Sequence, residues 1–392
     1  MLILKKETKA GVRALPNDSK RFNVALVSGF DPSKDIASGI RTYVLGLAKA
    51  SIKAGIDVKL IGIGSPGDLE SYGIDFIAVQ DHATTSLGFQ INLLKASSSI
   101  GLSNNTIIHA QRPDDLIPFC ISHPNNSKIV TTHGSHADSV RTNKGSAVGW
   151  LYDEIEGYAL KRTQRILCVS RQTLSHFRSK YPDLGDKMCL IYPGIDTEIF
   201  KPTSKQEARR RIGLDEDKKV VLYAGRLVNE KRVEVILNAY KEIEKKDTKV
   251  SLVIAGSGQE KENLENIATT LGLEHAEFRP VASKSELPLL LSAADVTVIA
   301  SKKEGLPTIA LESLACGTQV VSTPVGIMPE IVKDGFNGFL VHDMTAFPRI
   351  IEKALVISST LSSHCEESVK RFSWNFIIKD MMAVYHEVAE KD

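Results

Sequence analysis

The stretch KKVVLYAGRLVNEKRVEVILNAYKEIEKK, residues 218–246, joins a near-continuous apolar run, KKVVLYAG, through a polar turn to the helical run VEVILNAYKEIEKK. An apolar run without polar alternation reads as a strand covered on both faces, the burial pattern of a parallel sheet. The pairing recurs downstream, where VSLVIAG (250–256), AEFRP (276–280), DVTVIA (295–300) and TQVVSTP (318–324) are separated by helical stretches. It recurs upstream as well. NVALVSGF (23–30), DVKLIGIG (57–64), DFIAVQ (75–80), TIIHA (106–110), KIVTTH (128–133) and RILCVS (165–170) form an earlier series. Between the two series, IYPGIDTEIFKP (191–202) carries two prolines, a glycine and no period, and reads as a hinge.

This rhythm predicts two consecutive doubly wound α/β units. A polar leader (1–20) precedes a first unit over 21–195, and a second unit covers 196–372. The segment SWNFIIKDMMAVYHEVAEK (373–391) has the pattern of an amphipathic helix that crosses back onto the first unit, so 373–392 is grouped with it. Parallel strands need right-handed crossovers, and ligands in such sheets gather at the carboxyl ends of the strands. Two such edges facing one another make a cleft. The opening helix of the first unit places Ile40, Tyr43, Val44, Leu47 and Ala48 on one face, with Ser38 as N-cap and Gly55 as the stop.

Composition narrows the partners. Of 392 residues, 42% are apolar and 24% charged, which excludes disorder and collagen-like repeats. Lysine plus arginine (49) against aspartate plus glutamate (47) leaves a net charge of +2, so no global field gathers nucleic acid. No apolar run approaches the 18 residues of a spanning helix, and the opening MLILKKETKAG has too short an apolar core for a signal peptide. A cytoplasmic protein is expected. Five scattered cysteines without a CxxC pair indicate reduced thiols rather than disulfides or a zinc site.

Several residues at strand ends can carry chemistry. Arg226 ends the strand VLYAG, and Lys231 with Arg232 precedes the next helix. Cations there oppose the helix macrodipole at a cost of about 0.3–1 kcal/mol each, unless an anion sits between them. A phosphate held by backbone N–H groups and two cations gains charge-assisted hydrogen bonds of roughly 1.5–3 kcal/mol each. A solvated basic turn is the alternative. In EGLPTIALESLACG (304–317), Pro307 suits the first helical position and Gly317 the end, with free N–H groups near Gly305 and Leu306. Glu304 then stands at the ligand edge and Glu312 a turn or more into the helix. Eight helical steps separate their Cα atoms by about 12 Å. A hydrolase's acid and base carboxyls stand roughly 5–9.5 Å apart, so two separate acceptors for hydroxyls fit better. A capping acid and a solvated helix glutamate remain the plainer alternative.

Other motifs are weaker. AGSGQEK (255–261) has two glycines of a dinucleotide fingerprint but Lys261 in place of the third, against a nicotinamide cofactor. Gly39 lets backbone approach a ligand closely, with an ordinary helix start as the plainer reading. His133 and His136 in VTTHGSHAD flank Gly134 and Ser135 without a carboxylate cluster, so a hydrogen-bonding His133 is favoured over a metal site. His109 and Arg112 in IIHAQRPDD occupy another strand end and are expected to face the cleft, with a polar loop as the even alternative; with Arg41 they are the candidate acceptor contacts. No GxSxG elbow or P-loop is present.

Taken in order, Ser38-Gly39, His133, Pro193-Gly194-Ile195-Asp196, Gly225-Arg226 with Lys231, Gly256-Ser257-Gly258, Glu304 and Glu312 resemble the GT-B glycosyltransferases of the retaining family 4 type. The E-x7-E pattern joined to GR-x4-K carries the likeness. The resemblance implies two Rossmann-like domains facing across a cleft, a nucleoside-diphosphate sugar held mainly by the C-terminal one and an acceptor against the N-terminal one. It implies that Arg226 and Lys231 bind the donor diphosphate, with Gly39 offering backbone N–H from the opposite domain. Glu304 would bond hydroxyls of the transferred sugar and Glu312 those of the ribose. Arg279, Pro280 and Val281 would frame the base beside Gly256 and Gly258, Gly305, Leu306, Pro307 and Thr308 complete the donor set, and His133 touches the donor sugar or its phosphate. Ser38 departs from the family, which commonly has a second glycine there.

The expected function is retaining, metal-independent transfer of a sugar, from UDP in preference to GDP, to a hydroxyl of a glycan, a small molecule or a lipid-linked acceptor. No cofactor is required, no nucleic acid is bound, and membrane contact is at most peripheral to the inner face. A sugar-nucleotide epimerase of the same fold and a non-catalytic sugar-nucleotide-binding protein are the alternatives.

Overall fold

The structure is a computed structural model, and it describes residues 22–390 apart from 35–38, 83–84, 135–140, 142–144, 281–282, 284 and 305–306. The polar leader, Ser38 and His136 therefore lie outside the described residues.

Two parallel sheets form, as the strand rhythm predicts. The first contains β1 (Asn23–Val27), β2 (Asp57–Gly62), β3 (Asp75–Ala78), β4 (Thr106–Ala110), β5 (Lys128–Thr132), β6 (Arg165–Cys168) and β7 (Met188–Leu190), in the order β3-β2-β1-β4-β5-β6-β7. The second contains β8 (Lys219–Ala224), β9 (Val250–Ala255), β10 (Ala276–Arg279), β11 (Val296–Ile299), β12 (Val320–Ser322) and β13 (Gly338–Leu340), in the order β10-β9-β8-β11-β12-β13. The two edge strands β7 and β13 have no counterpart in the sequence reading. Each is three residues long and stands at the edge of its sheet.

Burial explains the composition of the strands. Every residue of β4 and β5 is buried, polar ones included, because helices cover both faces of the sheet. Two apolar clusters flank the first sheet and two flank the second. In both sheets the strand order reverses beside the central pair, β1/β4 and β8/β11, and a crevice at the carboxyl ends of such a pair is where a doubly wound sheet takes its ligand.

The units are tied together at the hinge. Ile195 N–H donates to the Phe372 carbonyl at 2.7 Å and Trp374 N–H donates to the Ile195 carbonyl at 3.1 Å, so the outgoing and returning chains run side by side. The helix Trp374–Ala389 then buries Trp374, Ile377, Met381, Val384, Tyr385 and Val388 in the core of the first unit, as the crossover expectation requires. Beside the hinge, Glu330 of the second unit accepts from the backbone N–H of Arg171 at 2.8 Å and from the Tyr192 hydroxyl at 2.7 Å. It caps a first-unit helix, Arg171–Lys180, across the junction.

Candidate active site

The site is built by loops that leave β8, β9 and β11 at their carboxyl ends. After β8 the chain turns at Gly225 (φ 156°), a conformation that L side chains rarely adopt. The turn places the Arg226 side chain in solvent, with no ion-pair partner among the described residues. Its backbone is fixed from below: the buried Tyr223 hydroxyl donates to the Arg226 carbonyl at 2.7 Å. Burial, with a further push from the Glu304 carboxylate, holds that phenol well above its ordinary pKa, so it stays a donor.

The β8 loop is laced to its neighbours. Leu227 N–H donates to the Ser257 carbonyl at 2.8 Å, and Glu260 N–H returns to the Leu227 carbonyl at 3.0 Å. A Cβ on Gly256 would stand 2.0 Å from the Gly225 carbonyl oxygen, and one on Gly258 would stand 2.1 Å from that of Leu227. These glycines are therefore required by the chain's own packing, irrespective of any ligand. Gly256 N–H also donates to the Arg279 carbonyl at 3.1 Å, so the Gly256–Gly258 turn and the end of β10 lie side by side. The Arg279 guanidinium itself bonds Glu277 and the Ile212 carbonyl. Pro280 follows at the same edge; Val281 lies outside the described residues.

Lys231 closes a short turn, Asn229–Lys231, and its ammonium forms an ion pair with Glu304 in the loop after β11. The two side chains are 18% and 10% exposed. Ser301 Oγ donates to the same carboxylate at 2.7 Å. In this state Lys231 is thus already neutralised by a residue of the second loop, a pairing that the sequence around it does not show. Arg232 departs from that reading further. It adopts a left-handed conformation (φ 49°, ψ 47°) and spends its guanidinium on the carbonyls of Ala300 and Ser301, at 2.8 and 3.1 Å. Its task is to hold the β8 and β11 loops together, aided by Lys302 N–H donating to the Glu230 carbonyl at 2.8 Å.

Glu312 lies within the helix Thr308–Ala315 and is buried. Burial pushes its carboxyl up to about 7, against the opposing pull of the Thr308 hydroxyl. Pro307 is the residue before the first helical position rather than the first itself, and Gly317 (φ 79°) ends the helix as expected. Gly305 and Leu306 are outside the described residues.

In the first unit, Gly39 is the first residue of the helix Gly39–Lys53. His133, just past β5, packs edge-on against Tyr43 with ring centroids 5.0 Å apart, and its Nε2 meets Gln111 Oε1 at 3.0 Å. That contact assigns the proton to Nε2. Burial lowers the ring to about 3, so it is neutral, and its Nδ1 is a buried acceptor without a partner among the described residues. Gln111 Nε2 is a buried donor in the same condition. Nothing in the sequence marks Gln111 beyond its position directly after β4.

Two acceptor candidates are corrected. His109 does not face the cleft: it is fully buried, with Nδ1 2.8 Å from the Tyr385 hydroxyl and Nε2 2.7 Å from Thr131 Oγ1. The side chain of a central strand residue points to one face of the sheet, and here that face is covered by the crossover helix. Arg41 is also buried, donating to the Pro32 carbonyl at 3.0 Å, and so braces the loop before its helix. Arg112 remains at the carboxyl edge, bound to the Asp114 carboxylate through two nitrogens.

Residues 37–199 match the family described as Glycosyltransferase Family 4, and residues 204–371 match Glycosyl transferases group 1. An uncharacterized glycosyltransferase of Methanocaldococcus jannaschii is 27% identical over 93% of this chain and 98% of its own. A D-inositol 3-phosphate glycosyltransferase of Mycobacterium ulcerans is 32% identical over 50% of this chain and 44% of its own, so the matched part is less than half of that relative. Among solved structures, sucrose-phosphate synthase from Thermosynechococcus elongatus superposes with a TM-score of 0.83 at 23% identity, covering 95% of this chain and all of that one. Anabaena HepE in complex with UDP and glucose gives 0.74 at 17%, over 94% of this chain and all of its own. With both halves of the chain matched in order and two Rossmann-like units facing across a cleft, this protein is a GT-B glycosyltransferase of the family 4 type.

Proposed function

We propose that the chain transfers a sugar from a nucleoside-diphosphate sugar, UDP in preference to GDP, to an acceptor hydroxyl with retention at the anomeric carbon and without a metal. The observation that carries this reading is the convergence of Arg226, Lys231 and Glu304 on two laced loops at the β8/β11 switch point. In the transfer, the bond from the anomeric carbon to the diphosphate oxygen breaks as the bond to the acceptor oxygen forms. The acceptor's proton passes to an oxygen of the departing diphosphate.

Negative charge accumulates on the diphosphate as the sugar becomes oxocarbenium-like, and prearranged cations there stabilise the transition state more than the ground state. Arg226, exposed and unpaired among the described residues, meets the diphosphate directly. Lys231 reaches it by sharing or exchanging its bond with Glu304, whose carboxylate then turns to the sugar hydroxyls. Glu312 accepts the ribose hydroxyls, and the Arg279–Pro280 backbone beside Gly256 and Gly258 frames the base. The orphaned donor of Gln111 and acceptor of His133 match what a sugar hydroxyl presents.

A panel of nucleoside-diphosphate sugars tested for thermal stabilisation identifies the donor, since a ligand that binds only the native state raises its melting temperature. NMR of the product then reads the reaction: a linkage with the donor's anomeric configuration is expected. Isomerised free donor would make the chain an epimerase instead, and tight binding without turnover over a broad acceptor panel would make it a binding protein.

A further inference from the structure

A trench on the first unit points to the kind of acceptor. The helices Ser86–Ser97 and Ser146–Lys161 both pack on the short helix Ile117–Ser122, which becomes the floor between them. The space enclosed is about 1440 Å³. That is above the roughly 300–1,000 Å³ of a pocket for a compact small molecule. One wall presents Leu87, Ile91 and Leu94, the i, i+4, i+7 face of its helix, and the other presents Val148, Leu151 and Tyr158. These side chains are exposed, Leu87 by 66%, Leu151 by 54% and Ile91 by 46%. A contiguous row of this kind is unusual on a soluble surface and marks a binding face.

The direction of the trench follows from the topology. The helix Ser86–Ser97 starts after β3 ends and leads back to the start of β4, and the helix Ser146–Lys161 starts after β5 and leads back to β6. Both therefore begin at the carboxyl edge of the sheet, where the candidate site lies, and run away from it. The near end of the trench is polar: Arg112 and Asp114 line it, with the Tyr152 hydroxyl donating to Asp114 at 2.9 Å. Gln111, hydrogen-bonded to His133, is the residue before Arg112. The trench is thus polar at the carboxyl edge of the sheet, mostly apolar along its length, where Asp153 paired with Lys180 also lines it, and bounded by Lys161 and Arg162 at its far end.

We infer that this trench binds the aliphatic chain of an amphiphilic acceptor, whose polar head is presented to Gln111 and His133 at the cleft. The inference rests on the transferase reading and specifies the class of acceptor within it. The polarity gradient matches one elongated molecule with a hydroxyl-bearing head and an apolar tail, and the polar Arg112–Asp114 end at the carboxyl edge of the sheet gives that molecule a single orientation.

The test uses the full chain and n-alkyl β-D-glucosides with six to twelve carbons, each below its micelle concentration, titrated by calorimetry. Affinity is expected to rise with length by up to about fourfold for each buried methylene. The double variant Ile91→Asp, Leu151→Asp changes two exposed side chains and is expected to flatten that dependence while its melting temperature and its affinity for UDP-glucose stay as in the parent. A flat series in the parent, or a slope unchanged in the variant, overturns the inference. So does light scattering that shows a dimer dissociated by the same substitutions, since a second copy would then cover the face. Absence of binding by every nucleoside-diphosphate sugar of the panel in the parent, with the slope intact, strikes the transferase reading and leaves the trench assignment standing.

Discussion

Lys231 and Glu304, 73 residues apart in the chain, form an ion pair where the loops after β8 and β11 meet, with Ser301 donating to the same carboxylate. Arg226, five residues before Lys231, has no such partner among the described residues and lies in solvent. The two cations should therefore separate by stability and not by activity. Arg226→Ala is expected to reduce transfer by at least a hundredfold with no change in melting temperature. Lys231→Ala should lose as much activity and also about 1–3 kcal/mol of stability, between the values for exposed and buried pairs, because Glu304 keeps its charge without a counterion. Transfer retained by both variants would remove the basis of the diphosphate-binding assignment.

The glycines at 256 and 258 make a prediction independent of ligand. Either alanine substitution drives a Cβ into a carbonyl oxygen of the β8 loop, so that loop must move or the β9 turn must open. Gly256→Ala and Gly258→Ala should each cost upwards of about 2 kcal/mol, measured by denaturant unfolding without nucleotide. Equal stability to the parent in both would mean that the lacing between Leu227, Ser257 and Glu260 is not what positions Arg226.

What the sequence disclosed was what short-range pattern can encode. The apolar runs TIIHA and KIVTTH are wholly buried strands, and the glycine-arginine turn after VLYAG sits at the switch point where a doubly wound sheet takes its ligand. What stayed hidden depends on partners far away in the chain. His109 looks like a strand-end cleft residue until the crossover helix, 276 positions on, brings Tyr385 against it. Arg232 looks like a second phosphate ligand until β11 supplies the two carbonyls that occupy it. The trench is invisible for the same reason: Leu87, Ile91 and Leu94 have the i, i+4, i+7 spacing of any core-facing helix, and their exposure depends on how the helices on either side of Ile117–Ser122 pack.

The position of His109 yields a contrast between stability and catalysis. Its two ring nitrogens are both engaged, and burial, with His133 nearby, lowers its pKa to about 3, so it remains neutral through the working range. Tyr385→Phe removes one partner and leaves a buried ring nitrogen unsatisfied, at a cost of about 1–3 kcal/mol. The acceptor KM should not change. A raised KM with unaltered stability would return His109 to the acceptor site and contradict its burial beneath the helix Trp374–Ala389.

Glu312 gives the fold a pH dependence whose sign can be worked out. Its carboxyl is pushed up to about 7 in the folded chain, above its ordinary value of 4.5, so the native state binds this proton more tightly than the unfolded one. That contribution to stability is fully present below about pH 4.5 and is lost as pH rises through about 7, on the order of 3 kcal/mol in all. Donor binding should run the opposite way. Ribose hydroxyls donate to the ionised carboxylate, which must form before they can bind, so affinity for UDP-glucose should fall about tenfold from pH 8 to pH 6. UDP-glucose suits the measurement because its diphosphate, esterified at both ends, has no proton to gain in that interval. Glu312→Gln is expected to bind more weakly at pH 8 and to show no step, and its melting temperature should lose the corresponding decline between pH 5 and pH 8. A parent affinity that stays level across this interval would detach Glu312 from the ribose and leave it as a buried acid whose partner lies elsewhere.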